Sequence, residues 1–293
     1  MIDVRRVTRQ WIFPAVTELW ALAFRLFRPL LFGRQAPRSW EAGGRILVLA
    51  PHPDDETLGA GGAIALHRRH DDPVTVAIVT DGSGSQAGGL TKQAMARRRA
   101  AEVTAAVQKL GLGQAICLGL PEGGWDRRAM QEKLAPLVSN ADVVYAPSCV
   151  DFHPDHLRVA RLLAEMLQST QIVRVYELSV PLTPLLTNLM ADISPVAAQK
   201  RQALAYFTSQ QAALYPLARL ARYRAALYGV ADAELFWEMP AGAYKRVMRY
   251  GTWGWEDSPF RGVRPRPFTD PLAFLAGRRA RRRLRLLAQG GES

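Results

Sequence analysis

Cysteine is scarce in this chain of 293 residues: Cys117 and Cys149 are its whole complement. Two thiols build neither a disulfide framework nor a cysteine-rich zinc site. Both sit in apolar runs, so they read as reduced core residues, which fits a reducing compartment. Acidic residues are short as well, 26 Asp and Glu against 38 Lys and Arg, for a formal net charge of +12. That balance favours anionic partners such as phosphorylated metabolites, nucleic acid or an acidic membrane surface. The excess is uneven. Arg5, Arg6, Arg9, Arg25, Arg28 and Arg34 crowd the first residues, and "GRRARRRLRLL" (277–287) the last. A long uninterrupted apolar run is also missing. A spanning helix wants about 20 mostly apolar residues. The best stretch, "WIFPAVTELWALAFRLFRPLLF" (11–32), is broken by Pro14, Glu18, Arg25, Arg28 and Pro29, and no clean small-residue cleavage site follows it. Two readings of it stay open. It is an amphipathic helix in a membrane interface, with Trp11, Trp20, Phe24 and Phe27 facing the lipid, or it packs on the protein's own core. Around "GAGGA" (59–63) there is neither a Walker lysine nor a G-x-G-x-x-G register, so close helix–sheet packing explains those glycines better than a phosphate cradle.

What is present is a regular alternation. A composition 48% hydrophobic and 22% charged suits a folded chain with a sizeable core. Apolar runs at 45–51, 74–82, 115–121, 141–148 and 171–180 read as buried strands. Helical patterns at about 59–70, 91–111, 127–140 and 155–168 separate them, and Pro136 weakens the third. Alternation of this kind predicts an α/β fold: an open, mainly parallel, Rossmann-like sheet with helices on both faces. After residue 181 it stops, and helices at 194–210 and 217–229 follow. The Gly-, Pro- and Trp-rich stretch 251–271 reads as irregular; its tryptophans either stack on a sugar ring or fill a loop core. Three parts are expected: an apolar and basic extension over 1–43, a main domain over 44–240, and an irregular, basic extension over 241–293.

Two polar clusters interrupt the strands. "HPDDE" (52–56) follows the first and "DFHPDH" (151–156) the fourth. In open α/β sheets ligands bind beyond the carboxyl ends of strands, so the two clusters can converge. Crowded carboxylates are costly unless a positive charge sits among them, and a bound cation supplies one. His52 and Asp55 can fold onto one divalent ion, with His156 completing three ligands. Zn2+ suits that set, and so do other divalent metals such as Fe2+. Asp54 is then free to act as general base. His153 is placed as proton donor or oxyanion stabiliser, with Asp155 orienting an imidazole. Glu56 is either a supporting residue behind the ligands or a helix-start acid. Arg99 either contacts substrate or pairs with Glu102 on a helix face. His67 and His70, beside arginines at a helix end, read as solvated.

"PHPDDETLGAGG" with a later "HPDH" resembles the LmbE-like, or PIG-L, family of zinc-dependent de-N-acetylases. "TDGSGS" (80–85), "RAAE" (99–102), "KRQALAYFTSQ" (200–210) and "AELF" (233–236) match weaker features of that family, and Pro51 departs from its usual alanine. The resemblance covers about residues 44–240. It implies that His52, Asp55 and His156 bind the metal, that Asp54 is the base, and that His153 is its acid or oxyanion partner, supported by Asp155. It implies removal of acetyl from an N-acetylglucosamine conjugate, and the basic, aromatic termini suggest a lipid or nucleotide carrier. The alternatives are a conjugate amidase or N-acyl antibiotic deacylase on the same metal, or a non-catalytic module binding polyanions or membrane. A cytoplasmic location is expected, peripheral at the inner membrane face if the termini touch anionic lipid, with no specific nucleic-acid partner.

Overall fold

Five apolar runs become the parallel strands that the alternation predicts. The computed structural model describes residues 11–32, 36–85, 87–148, 150–151, 153–178, 180–251, 259, 270–275 and 277–290. The elements are α1 (Phe13–Phe32), β1 (Arg38–Ser39), β2 (Ile46–Ala50), α2 (Asp55–Arg69), β3 (Val74–Thr80), α3 (Lys92–Lys109), β4 (Ile116–Leu120), α4 (Arg127–Ser139), β5 (Val143–Ala146) and α5 (Pro154–Met166). They continue with β6 (Ile172–Tyr176), β7 (Leu189–Asp192), α6 (Ala197–Leu204), α7 (Gln211–Tyr228), β8 (Ala233–Pro240), α8 (Ala241–Tyr250), α9 (Asp270–Leu275) and α10 (Arg278–Ala288). The eight strands form one sheet in the order β1-β7-β8-β6-β5-β2-β3-β4. β2 to β6 run parallel, and β8 lies antiparallel between β6 and β7. This is the expected α/β, Rossmann-like architecture.

Side-chain alternation along β2 divides the core. Leu47 and Leu49 face one layer, with Leu134 of α4, Leu163 of α5, Val247 of α8 and Leu284 of α10. Ile46, Val48 and Ala50 face the other, with Ile64 of α2, Val107 of α3 and Ala203 of α6. A third, smaller cluster joins Ala21 and Phe24 of α1 to Leu220, Tyr223 and Leu227 of α7 and to Phe274 of α9. A Cβ on Gly59 would run into the Tyr176 ring, and one on Gly62 into Ile193. The glycines of α2 therefore serve close packing of helix on sheet.

One expectation fails here. Cys117 is exposed, because β4 is the edge strand and lacks a neighbour on one side. α4 forms over the expected stretch, with Pro136 inside it. Cys149 and, apart from Gly251, the tryptophan-bearing stretch 251–256 lie outside the described residues.

The chain leaves β2 for β3 on one side, and later places β5 on the other. The switch point of the sheet is thus the crevice between the carboxyl ends of β2 and β5, where such folds bind ligands. Both histidine clusters follow these two strands.

Candidate metal centre

β2 ends at Ala50, and a short turn leads into α2. Asp54, the residue before the helix, has a φ of 117°. That left-handed backbone costs a residue bearing a Cβ on the order of 1–3 kcal/mol, so neighbours must hold it. Glu56 accepts from the Asp54 N–H at 3.0 Å, and its other oxygen accepts from the Thr57 hydroxyl at 2.7 Å. Arg99, reaching over from α3, contacts the Pro53 carbonyl and stands 3.1 Å from Asp54 Oδ2. Gly82 packs so closely on Arg99 that a Cβ there would collide with it. Arg99 is thus a buried partner of Asp54 and does not pair with Glu102. Glu102 instead accepts from the Ser209 N–H and hydroxyl at 3.0 and 2.6 Å, tying the "FTSQ" turn to α3.

Three donor atoms form a small triangle. His52 Nδ1 lies 3.0 Å from His156 Nε2 and 3.4 Å from Asp55 Oδ2, and His156 Nε2 lies 3.2 Å from that same oxygen. Two ligands about 2.0–2.1 Å from a tetrahedral ion stand roughly 3.3 Å apart, so the triangle has the size that a divalent cation needs. The second nitrogen of each ring is backed by a carboxylate. His156 Nδ1 meets Asp151 Oδ2 at 2.8 Å, and His52 Nε2 faces Asp155 Oδ2 at 3.4 Å. Such backing fixes ring orientation and aims the other nitrogen inward. The residues therefore fit a metal. His153 stands beside them, its ring centroid 4.6 Å from that of His52, and the three imidazoles each bring a nitrogen within 4.8 Å of the others.

Charge makes the same point. Burial pushes the Asp54 carboxyl up to about 8 against the pull of Arg99, with Asp55 and Glu56 adding repulsion. Burial also raises Glu56 to about 7. Carboxylates so crowded are stabilised as anions by a cation among them.

All six residues singled out in the two motifs come together: His52, Asp54, Asp55, His153, Asp155 and His156. One detail differs from expectation. The Asp155 carboxylate faces His52 and not His153, because the Gly123 N–H and Trp125 Nε1 donate to it at 2.9 and 3.0 Å and hold it there. His153 instead caps α5, its Nδ1 accepting from the Asp155 N–H at 3.3 Å. Asp151 was not singled out, although it opens the motif "DFHPDH". The expected supporting position of Glu56 is realised as a clamp on the strained turn. A pair of late residues also acts on α2. Glu234 accepts from the Gly62 and Ala63 N–H groups at 2.6 and 2.8 Å, while Lys200 donates to the Leu58 carbonyl at 2.9 Å. These two side chains insert into the helix ladder, which explains the late lysine and glutamate of "KRQALAYFTSQ" and "AELF".

Next to the first turn of α2 lies a cavity of about 440 Å³. Leu58, Leu178, Ile193, Leu204 and Leu235 line it alongside the ion pairs Lys200–Glu234, Arg201–Asp232 and Arg224–Glu177, and Ala221 and Arg224 bring α7 to its wall.

A parallel α/β sheet carrying a metal-sized donor triangle at its switch point defines the class. Residues 47–167 match the model of the PIG-L family, described as GlcNAc-PI de-N-acetylase. A probable N-acetyl-alpha-D-glucosaminyl L-malate deacetylase 2 of Bacillus subtilis (strain 168) is 32% identical over 116 residues, 38% of this chain and 52% of the relative. A 1D-myo-inositol 2-acetamido-2-deoxy-alpha-D-glucopyranoside deacetylase of Nocardia farcinica (strain IFM 10152) is 30% identical over 158 residues, 44% of this chain and 53% of the relative. The chain thus spans about half the length of the curated relatives it matches. The fold is shared with an N,N'-diacetylchitobiose deacetylase from Pyrococcus horikoshii, at a TM-score of 0.60 and 21% identity, over 83% of this chain and 96% of that one.

Proposed function

We propose that this protein is a metal-dependent hydrolase that removes the N-acetyl group from a GlcNAc-type sugar conjugate. The donor triangle of His52, Asp55 and His156, with the Asp54 carboxyl on the adjoining residue, carries the reading. These three residues would hold Zn2+, or another divalent metal such as Fe2+. A cation held there supplies Lewis acidity toward an amide oxygen and toward water. Asp54 takes the proton of the attacking water, and Arg99 keeps its carboxylate in place. His153 faces the developing oxyanion or donates to the leaving amine. Asp151 and Asp155 hold the His156 and His52 rings. Acetate and a free amino sugar result. The family description and the names of the two relatives support a GlcNAc conjugate as substrate.

A second reading keeps the centre and changes the amide to a larger N-acyl or lipid-linked one. The leucine and isoleucine part of the cavity beside α2 favours it. Attachment at the inner face of an anionic membrane belongs to the same reading, with the protein otherwise cytoplasmic.

The test is metal content measured together with acetate release from a panel of GlcNAc conjugates, with and without chelator. About one metal per chain and chelator-sensitive acetate release are expected. A metal-loaded protein that releases no acetate would move the reading to larger N-acyl amides. A protein that cannot be loaded with any divalent metal would overturn it.

A further inference from the structure

We infer that α1 and α10 together form a docking face for an anionic phospholipid bilayer, with α1 lying in the plane of the interface. The face follows from a surplus on α1. The core contacts of that helix are made by Ala21 and Phe24, which pack on α7 and on Phe274. Its opposite side is also apolar. Leu19, Leu22, Leu26 and Leu30 recur every three or four residues and are 67%, 54%, 63% and 82% exposed. Trp11 and Phe27 extend the row at 72% and 52%. Single exposed leucines are ordinary, but a contiguous row marks an interaction surface. The two readings of this segment left open by the sequence are thus not exclusive, since one side packs on the protein and the other has no protein to meet among the described residues. No described helix is long and apolar enough to cross a membrane. A helix with such a row and basic flanks lies in an interface.

Charge identifies the occupant. Arg278, Arg279, Arg282 and Arg285 of α10, with Leu185 and Leu286, line a cleft of about 400 Å³. Among the described residues none of these four guanidiniums has a carboxylate partner. α10 is anchored by its other side, where Leu284 and Leu287 are buried and Arg281 donates to the carbonyls of Phe274 and Pro181. The two features are neighbours. The Phe274 ring lies 4.9 Å from that of Phe24, and Arg278 follows four residues later, a reach of at most about 14 Å along the chain. On α1 itself Arg25 is exposed, and the one acid, Glu18, is neutralised by Arg222 at 2.7 Å. The exposed row with Arg25 beside it, and the α10 arginines that have no carboxylate partner among the described residues, are complementary to acyl chains beneath anionic headgroups.

The face lies beyond α7 from the cavity beside α2. Leu220 and Tyr223 of α7 touch the α1 layer, while Ala221 and Arg224 line the cavity. Two helices, α1 and α7, lie between the exposed row and the cavity, a separation of about 20 Å.

Co-sedimentation of the full chain with phosphatidylcholine vesicles, with and without phosphatidylglycerol, tests the docking. Binding is expected with phosphatidylglycerol alone and should fall with added salt. The pairs Leu22→Glu with Leu26→Glu, and Arg282→Glu with Arg285→Glu, should each weaken it roughly tenfold or more. Circular dichroism and hydrolysis of a water-soluble substrate should be unchanged in both, since neither pair touches the core or the centre. Equal binding by both variants and the parent overturns the proposal. So does a parent that ignores vesicles and sediments as a dimer that Leu26→Glu dissolves, because a second copy then covers the row. Vesicle binding without acetate release leaves the docking standing and removes the proposed activity. Acetate release without vesicle binding does the reverse.

Discussion

Buried histidines stand at both ends of α2, a cluster at its start and a single one toward its end, and the two sites are built on opposite principles. At its start stand His52, His156 and Asp55, with His153 beside them. Toward its end His67 sits fully buried, where the sequence suggested a solvated side chain. Its Nδ1 meets Asp72 Oδ2 at 2.6 Å and its Nε2 meets the Tyr145 hydroxyl at 3.0 Å. That hydroxyl also accepts from Trp40 Nε1 and from Arg174 Nη1, both at 2.8 Å. Both Tyr145 lone pairs are thereby taken, so its proton goes to His67 Nε2, and His67 is neutral with its proton on Nδ1. Donors and acceptors balance, and there is nothing left to bind. At the other end two ring nitrogens 3.0 Å apart point at each other and at a shared carboxylate oxygen. Burial pulls His52 down, but Asp155 and Asp55 bring it up to about 9, whereas burial takes His67 down to about 4, helped by Arg174 and opposed by Asp72. The same residue types thus give a closed structural network in one place and an unbalanced, cation-seeking one in the other. What separates them is the count of acceptors against donors.

The largest effect should come from removing a charge beside the triangle without touching it. Asp54→Asn is expected to lower kcat by about 10²–10⁴ while metal content stays at the parental level. Unchanged kcat with metal bound would take the base role from Asp54. Next in size is the backing of a ring. Asp151→Asn keeps an acceptor for His156 Nδ1 but loses the charge, so metal affinity should fall about 10–100-fold, as read by competition with a chromophoric chelator. The matched change at the other end, Asp72→Asn, should lower the melting temperature and leave metal affinity alone. If Asp72→Asn weakened metal binding as much as Asp151→Asn, the division between the two sites would fail.

Legibility in the sequence followed locality. The five parallel strands were readable because strands buried on both faces are continuous apolar runs. The centre was readable because its two halves are each a few residues long and each directly follows a strand. β7 and β8 were missed. They come after the alternation ends, and β8 pairs antiparallel across 64 residues from Arg174 to Glu238, so neither strand shows a βα repeat. The burial of His67 was hidden for a related reason. Its neighbours Arg68 and Arg69 suggest solvent, but its partner Tyr145 is 78 residues away. Asp151 stood in plain view in "DFHPDH". Nothing in spacing told it apart from Asp155 until the structure showed which imidazole each one backs. Cys117 looked like core because its run is apolar, while its exposure depends on β4 having no further neighbour.

At neutral pH the last expected effect is the smallest, since it vanishes there, and it sharpens the contrast on the acid side. His67 is held below the ordinary histidine value of 6.5, at about 4. Between those pH values the unfolded chain binds a proton at this residue and the folded chain does not. Stability therefore carries the full contribution of neutral His67 above the unfolded value and loses it as pH falls toward 4. At 1.36 kcal/mol per pH unit the loss is about 3 kcal/mol at most. The donor count explains why the folded state resists. A second proton on Nε2 would face a hydroxyl whose lone pairs Trp40 and Arg174 already occupy. His67→Gln has no proton to gain, so in urea titrations from pH 7 down to 4 its unfolding free energy should lack this share of the slope. Equal acid slopes in the two proteins would show that His67 already carries its proton, and that the network around Tyr145 is not closed in the way its distances indicate.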